Sequence, residues 1–494
     1  MPLYATFGLL GLCVFASACS GPAELDGGVT DGAVTDADVT DADVSECTPP
    51  CFAWVRRLSG PSMEDEIDAV ATDEEGNVYI AGKFEAELTV EGFDGPPLQS
   101  AGRADIMVAK YGPDGRLEWL HRFGGPGEDN VFDAACDAEG NLYLSGYFSG
   151  RIDFGGQVLD SGDVDNLDMM VIRMDPRGEG SVTWAVSAGG EGSDGGNELQ
   201  PMPDGRMAVL AQSSGRFVAS PGVDFEPPVG RANAYVLAMD TQDGTFEWGA
   251  EAQSSVGVRA KCLAVDSESN LYWGGDFGGT LAMRGEGSLP EPVEAQASDG
   301  FISSWTPSGS HRWTRAFGGP AQDLCKGAVV DGDGLYLVGQ FGGEVDFGGQ
   351  RLVSTQRDLF VWALDRAGET RWVQQVRSDS NLLGAEAVVA PDGGVLFGFR
   401  MNADLTLTSS DGEDVSLARP SSGDYPLLLG YDAAGVPSLQ LFPEMSDDAN
   451  LDELSIQGRR VYVDVPIFEG RYRFGEHVRE STGTKDALLV AIDL

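Results

Sequence analysis

The sequence is poor in positive charge and in histidine. It carries 32 Lys and Arg residues against 79 Asp and Glu, with 3 His, for a net charge of −47 over 494 residues. A surface of this sign repels phosphate backbones and anionic lipids, which argues against nucleic acid binding and against direct membrane binding. Cationic ligands, basic proteins and divalent cations remain compatible with it. Such a charge is also typical of a protein kept soluble in a salty exterior.

Motifs of known catalytic centres are missing as well. The chain has no Gly-x-Ser-x-Gly elbow, no His-Glu-x-x-His and no Gly-x-x-x-x-Gly-Lys loop. His121, His311 and His477 fall in segments predicted to be outer strands or loops, so we do not expect a histidine-built metal or hydrolase centre. We therefore predict a protein that is not an enzyme and that has no catalytic residues and no resident cofactor.

The amino-terminal segment predicts export. Residues 2–18 are apolar and small, and the stretch is too short for a transmembrane helix. The run Phe15-Ala-Ser-Ala-Cys19 resembles the lipobox of bacterial lipoproteins. The resemblance implies a signal peptide at residues 1–18 and a diacylglycerol on the sulfur of Cys19. Ordinary secretion with cleavage nearby is the alternative.

Residues 19–52 predict a disordered tether. A five-residue repeat begins at Asp26, Asp31, Asp36 and Asp41, and it contains neither aromatic residues nor positive charge. Such a segment cannot bury enough apolar surface to fold, so we expect an acidic spacer between the lipid and the domain.

From residue 53 to residue 494 the chain repeats at intervals of about 65 residues. The repeat is marked by Trp54, Trp119, Trp184, Trp248, Trp313 and Trp372, and Leu439 takes the seventh place. Each unit contains four short strand-like segments separated by Gly-rich turns, and no helical stripe is present. The pattern predicts an all-β fold, a seven-bladed β-propeller of four-stranded antiparallel blades. The first tryptophan strand lacks partners before it, so we expect it to complete the C-terminal blade and close the ring.

The repeats carry a family resemblance, which is close over residues 104–148 and clear at 64–84, 262–278 and 316–365. Residues 104–148 read Asp-x-x-Val-x-Lys-Tyr-x-x-x-Gly-x-x-x-Trp, then Gly-Gly, Asp and Asp-x-x-Gly-Asn-x-Tyr-x-x-Gly. This run resembles the SBBP repeat of bacterial seven-bladed β-propeller proteins. The resemblance implies an exported cell-surface protein and no particular activity.

The cysteines agree with export. Cys47 and Cys51 could close a small loop at the end of the tether. Cys262 and Cys325 sit at nearly the same place in successive repeats, which makes a bridge between them a second candidate disulfide. Cys136 is expected to be an unpaired buried thiol.

Recurring aspartates give the candidates for a metal. Asp331 and Asp333, in an Asp-Gly-Asp-Gly turn, form the best single candidate for calcium. The favoured interpretation for the set is that each carboxylate caps its own turn; the set comprises Asp73, Asp137, Asp266 and Asp331. Core packing is likewise favoured over a sugar-binding platform for Trp273, Trp305 and Trp362.

The sequence therefore predicts a lipid-anchored, monomeric propeller in the bacterial cell envelope, at the outer membrane or cell surface. We expect a non-catalytic binding or scaffold module whose partner is an envelope protein or a polysaccharide. One alternative is a cation-assisted lyase or hydrolase in the central channel, and polar side chains converging there from different blades would favour it. The other is a structural surface component.

Overall fold

The computed structural model describes residues 51–62, 65–226, 231–380, 382–408, 414–418, 425–441, 453–467, 470–481 and 485–494. The predicted signal peptide and nearly all of the predicted tether, with Cys19 and Cys47, lie outside these ranges. The regular elements within them are β-strands. Across the same ranges, no helix is long and apolar enough to cross a membrane.

The strands form consecutive units, called A to G here, and β1 (Cys51–Ser59) precedes unit A. Unit A holds β2 (Ala69–Thr72), β3 (Val78–Phe84), β4 (Glu87–Val90), β5 (Leu98–Gln99), β6 (Asp105–Tyr111) and β7 (Leu117–Phe123). Unit B holds β8 (Asn130–Cys136), β9 (Leu142–Ser149), β10 (Arg151–Asp153), β11 (Val158–Asp160), β12 (Leu167–Asp175) and β13 (Ser181–Ala188). Unit C holds β14 (Asp194–Pro201), β15 (Arg206–Ser213), β16 (Phe217–Ser220), β17 (Val223–Phe225), β18 (Asn233–Asp240) and β19 (Phe246–Ser254).

The remaining units follow the same plan. Unit D holds β20 (Gly257–Val265), β21 (Leu271–Arg284), β22 (Glu286–Gly287), β23 (Val293–Trp305) and β24 (Ser310–Phe317). Unit E holds β25 (Leu324–Asp331), β26 (Gly334–Asp346), β27 (Arg351–Asp365) and β28 (Thr370–Ser378). Unit F holds β29 (Leu383–Val389), β30 (Val395–Met401), β31 (Leu405–Thr408), β32 (Asp414–Leu417), β33 (Tyr425–Tyr431) and β34 (Pro437–Leu441). Unit G holds β35 (Leu454–Gln457), β36 (Arg460–Ile467), β37 (Gly470–Phe474), β38 (His477–Ser481) and β39 (Asp486–Asp493).

Each unit is built on a four-stranded antiparallel sheet. The strand orders are β2-β3-β6-β7 in A, β8-β9-β12-β13 in B, β14-β15-β18-β19 in C, β20-β21-β23-β24 in D, β25-β26-β27-β28 in E, β29-β30-β33-β34 in F and β35-β36-β39-β1 in G. The first strand of each sheet contacts the first strand of the next, through β2, β8, β14, β20, β25, β29 and β35, and β35 contacts β2 again. The sheets are therefore arranged as a closed ring, an all-β propeller.

The amino-terminal strand closes the ring, as the sequence predicts. β1 pairs antiparallel with β39, and Ser59 lies opposite Asp486. The strand begins at Cys51, so Cys51 and Phe52 belong to the folded domain and not to the tether predicted for residues 19–52. The boundary differs because Cys51 and Phe52 pair with Asp493 and Ile492 of β39, a distant strand that the local sequence does not identify.

Hairpins between the second and third strands bind neighbouring units together. β4 pairs with β1 of unit G, β21 pairs with β19 of unit C, and β31 pairs with β28 of unit E. These added strands cover the outer edge of the preceding sheet, which would otherwise expose unpaired backbone groups.

Each repeat tryptophan connects its own unit to the next one. The indole Nε1 of Trp54 donates a hydrogen bond of 3.1 Å to the carbonyl of Pro113, in the turn before β7. Equivalent bonds of 2.9–3.2 Å are donated by Trp119, Trp184, Trp248, Trp313 and Trp372. The turn glycine lies against the ring: a Cβ on Gly115 would stand 2.6 Å from Trp54. Glycine is required there by this contact and by its φ of +76°.

A comparison of Gly140 with Gly115 separates the two reasons for glycine, the positive φ and the contact with the tryptophan ring. Gly140 has a φ of +78°, close to that of Gly115, but open space where a Cβ would be. We expect Gly140→Ala to cost about 1 kcal/mol of unfolding free energy through backbone strain alone. Gly115→Ala should cost at least about 1 kcal/mol more, because the methyl group also displaces Trp54. Urea unfolding of both variants measures the difference, and equal costs would contradict a structural role for the tryptophan contact.

Candidate functional site in the central cavity

The ring of first strands encloses a cavity of about 520 Å³. Its lining comes from units A, B, C, D, E and G. The lining residues are Glu66, Ile67, Asp68, Phe132, Asn197, Glu198, Gln212, Ala260, Lys261, Lys326, Glu453, Asp464, Pro466, Lys485 and Ala487. A concave site with polar side chains brought together from many elements is the usual form of a ligand site.

β-Bulges aim side chains into this cavity. In β8, β14, β20 and β25 the pairing to the second strand skips one residue, and the skipped residues are Phe132, Asn197, Lys261 and Lys326. A bulged residue leaves the ladder and its side chain is redirected. Here the redirected side chains of four units line the cavity, so one position in the repeat supplies part of its chemistry.

The sequence analysis missed this position, although a signal exists. Phe132, Asn197, Lys261 and Lys326 each stand thirteen residues after the tryptophan of the preceding unit, as does Ile67. The residues at this position share no chemistry, so they form no motif that a search for one residue type would find. Its variation within a regular repeat is the signal that reveals it.

The wall formed by units G and A is acidic. Glu66 forms an ion pair with Lys485, and Asp68 lies beside Glu66. Burial, and to a smaller extent the charge of Glu66, raise the pKa of Asp68 to about 6. The Oδ2 atom of Asp68 is buried and has no hydrogen-bond partner among the described residues.

A second depression lies where units A and B meet. It has a volume of about 610 Å³ and is lined by residues that include Lys83, Glu85, Arg103 and Glu128. Only neighbouring segments of two units contribute to it. The central cavity is the stronger candidate because six units converge there and its surface differs from one unit to the next.

The calcium candidates do not share a site. Asp331 accepts the backbone N–H of Gly394 in unit F at 2.8 Å. Asp333 is exposed and lies 3.7 Å from the guanidinium of Arg366. Within the described part of the chain no group of three or more His, Cys, Asp or Glu residues could hold a metal ion. Calcium at this turn stays a prediction.

The other recurring aspartates cap their own turns. Asp73 accepts the backbone N–H of Asn77 at 2.9 Å and the hydroxyl of Tyr79 at 2.8 Å. Asp137 and Asp266 make the same bonds in units B and D. This part of the sequence interpretation is confirmed, and Asp331 departs from it by bonding to the next unit.

The predicted cysteine pairs have different outcomes. Cys51 is disulfide-bonded. Cys47, its predicted partner, lies outside the described residues, so the Cys47–Cys51 pair stays a prediction; Cys136, Cys262 and Cys325 are free thiols. Cys262 and Cys325 are buried within hydrogen-bonding reach of each other but are not bridged, so a disulfide between them stays a prediction.

The internal tryptophans are core residues. Trp273, Trp305 and Trp362 are at most 1% exposed, which leaves no face for a sugar. The histidines lie away from the cavity as expected: His121 and His311 are on outer strands, bonded to the carbonyls of Glu179 and Ser288. His477 begins β38, also outside the cavity lining.

Comparison with known proteins agrees with the strand topology. The SBBP beta-propeller repeat model matches residues 53–83. The chain is thus an all-β propeller that carries an SBBP repeat. An uncharacterized WD repeat-containing protein of Acanthamoeba polyphaga mimivirus is 19% identical over 211 residues, which cover 37% of this chain and 15% of the viral protein.

Solved propellers are similar at low identity. The WD40 beta propeller domain of Doa1 has a TM-score of 0.40 and 10% identity, covering 90% of this chain and 97% of that one. Virginiamycin B lyase from Staphylococcus aureus has a TM-score of 0.35 and 9% identity, covering 88% and 98%. Puromycin hydrolase has a TM-score of 0.42 and 12% identity, covering 88% and 56%.

Pairs of carboxyl groups, all buried except the half-buried Asp168, lie at the junctions between units. Their members are Asp65 and Asp486, Asp105 and Asp129, Asp168 and Asp194, and Asp299 and Asp323. Burial, aided by the charge of Asp105, raises the pKa of Asp129 to about 7 against the opposing effects of the Gly125 and Ser149 backbone N–H groups and the charge of Arg122. The Gly-Gly step is required here, since a Cβ on Gly124 would stand 2.1 Å from the Asp105 carboxyl carbon.

These pairs predict that acid stabilises the ring. A folded-state pKa above the ordinary value of 3.8 gives stability that is present below pH 4 and is lost as the pH rises towards 7. Asp129→Asn stays neutral, so we expect it to reduce the stability lost between pH 4 and pH 8 by on the order of 2 kcal/mol. Chemical unfolding across this range measures the slope, with the exposed Asp94→Asn as control. An unchanged slope for Asp129→Asn would contradict the assignment.

Proposed function

We propose that this protein is a seven-bladed β-propeller, with units A to G as its blades, that acts as a non-catalytic binding module at the bacterial cell envelope. Its ligand enters the central cavity. The observation that supports a ligand site there is the convergence of polar side chains from five units, including Asn197, Lys261 and Lys326, on one space of about 520 Å³. That volume suits a small solute or the end of a larger chain.

The location follows from the amino-terminal sequence. Cys19 in its lipobox-like setting would carry the lipid, and the acidic repeat after it would hold the propeller away from the membrane. The net charge of −47 supports this arrangement, because an acidic domain is repelled by anionic lipid headgroups.

Filling the cavity should abolish binding. Equilibrium dialysis of the chain from residue 20 onward against a small-solute extract of bacterial envelopes, read by mass spectrometry, should show enriched compounds. Asn197→Trp places a large side chain at a cavity-facing bulge and should remove that enrichment. Gln157→Trp, on an exposed turn of unit B, is the matched control and should retain it. Equal enrichment by Asn197→Trp and the unaltered chain would exclude the cavity as the site.

A second candidate is an enzyme that uses the same cavity, and the convergence of polar side chains from different units favours it as well. Asp68 supports it, because a carboxyl group with a pKa raised to about 6 by burial can hold a proton for transfer near neutral pH. The same dialysis separates the two functions. A binding module returns the enriched compound unchanged, whereas an enzyme converts it, and Asp68→Asn would stop that conversion.

If the protein is anchored by a lipid, Cys19 should be essential for its attachment to the membrane. In a bacterial host the full chain should partition into detergent and release a diacylglycerol-modified amino-terminal peptide. Cys19→Ala should leave the protein in the aqueous phase, because the acyl chains supply the membrane affinity. Ser20→Ala is the control and should partition like the unaltered chain. Detergent partitioning of Cys19→Ala would contradict the anchor.

A further inference from the structure

Lysine is scarce in this chain and concentrated in the central cavity. The sequence contains five lysines, Lys83, Lys110, Lys261, Lys326 and Lys485. Lys261, Lys326 and Lys485 line the cavity. A chain with a net charge of −47 thus places three of its few ammonium groups around one internal space.

Two of these lysines form a cationic wall. Lys261 and Lys326 occupy the bulges of β20 and β25, the first strands of neighbouring units D and E. The side chain of Lys261 is exposed to the cavity and makes no hydrogen bond or ion pair with the described residues. It can therefore bind an anionic group without first breaking an internal contact.

The facing wall is acidic. In the ring, units G and A are separated from D and E by unit F on one side and by units B and C on the other. They contribute Glu66, Asp68, Glu453 and Asp464 to the cavity. Lys485 neutralises Glu66, and Asp68 retains a buried oxygen, Oδ2, without a hydrogen-bond partner among the described residues.

Between these walls, units B and C supply an aromatic ring, amide groups and one carboxylate. Phe132 of unit B is 37% exposed and offers an apolar contact. Asn197 and Gln212 of unit C supply amide groups; the Nδ2 of Asn197 donates to the carbonyl of Ala260 at 3.1 Å, and the remaining amide atoms can pair with amides of a ligand. Glu198 of unit C adds a carboxylate to this part of the lining. The cavity therefore runs from the ammonium groups of units D and E to the larger group of carboxylates in units G and A.

We propose that the cavity binds a zwitterionic ligand of the peptide class, with a free carboxylate and a free ammonium group. The carboxylate lies against Lys261 and Lys326, and the ammonium lies against Asp68 and its acidic neighbours. A purely anionic ligand would meet the acidic wall, and a purely cationic ligand would meet the lysines, so each would lose one of the two attractions. This inference rests on the proposed function, because it names the ligand class of the same site.

The test uses trialanine as the probe, with N-acetyl-trialanine and trialanine amide as matched forms that lack one charge each. Titration calorimetry at pH 7 with the chain from residue 20 onward should show millimolar or tighter binding of trialanine. Each blocked form should bind at least about tenfold more weakly, since it loses one charged contact with the cavity.

Protein variants test which wall of the cavity binds the carboxylate of the ligand and which binds its ammonium group. In Lys261→Met with Lys326→Met, free and amidated trialanine should bind equally, while discrimination against the acetylated form persists. Asp68→Asn should have the reciprocal effect. Arg177→Met, which removes an exposed positive charge from a turn of unit B, should leave all three affinities unchanged.

The outcomes distinguish failure of the zwitterion assignment from failure of the proposed binding function. Equal binding of the three forms, or no binding at 10 mM (about the weakest affinity worth measuring), would overturn the zwitterion assignment. If the envelope extract still yields a ligand that Asn197→Trp loses, the cavity remains a binding site for another class. If neither trialanine nor the extract yields a ligand, the proposed function fails together with the inference.

Discussion

Each sheet of this ring depends on a neighbour on both of its faces. β6 is buried at every position, a state that one isolated four-stranded sheet cannot reach. The indole bond from each repeat tryptophan to the next turn provides a directional contact across that interface, and Trp54 makes it across the junction of the chain ends. Because every unit depends on the next, loss of closure would expose two apolar sheet faces together.

The same constraint explains the glycines. Close packing brings a carboxyl group against the Gly-Gly step and an indole against the turn glycine, so Gly124 and Gly115 have no room for a Cβ. The junction carboxyls are buried by this packing, which raises the pKa of Asp129 to about 7. Compact junctions therefore carry an electrostatic cost that increases with pH.

The cavity follows from the ring as well. Closing the first strands into a circle leaves a central space, and the bulges in four of them, β8, β14, β20 and β25, each turn one residue towards it. Lys261 and Lys326 in D and E, and Asp68 with Glu66 in A, then define two charged sides of one space. Regular strands form the scaffold, and the cationic side is supplied by the irregular positions within two of them.

The sequence alone was sufficient for the all-β class, the repeat, the pairing of the first strand with the last, and the caps at Asp73, Asp137 and Asp266. These features depend on local turn chemistry and on a period that can be read along the chain. Only the tertiary structure decided which side chains meet in the cavity, that Cys51 belongs to β1, and that Asp331 bonds to Gly394. The reason is physical: bulges and contacts between units arise from pairing with distant strands, and a single sequence does not record those partners.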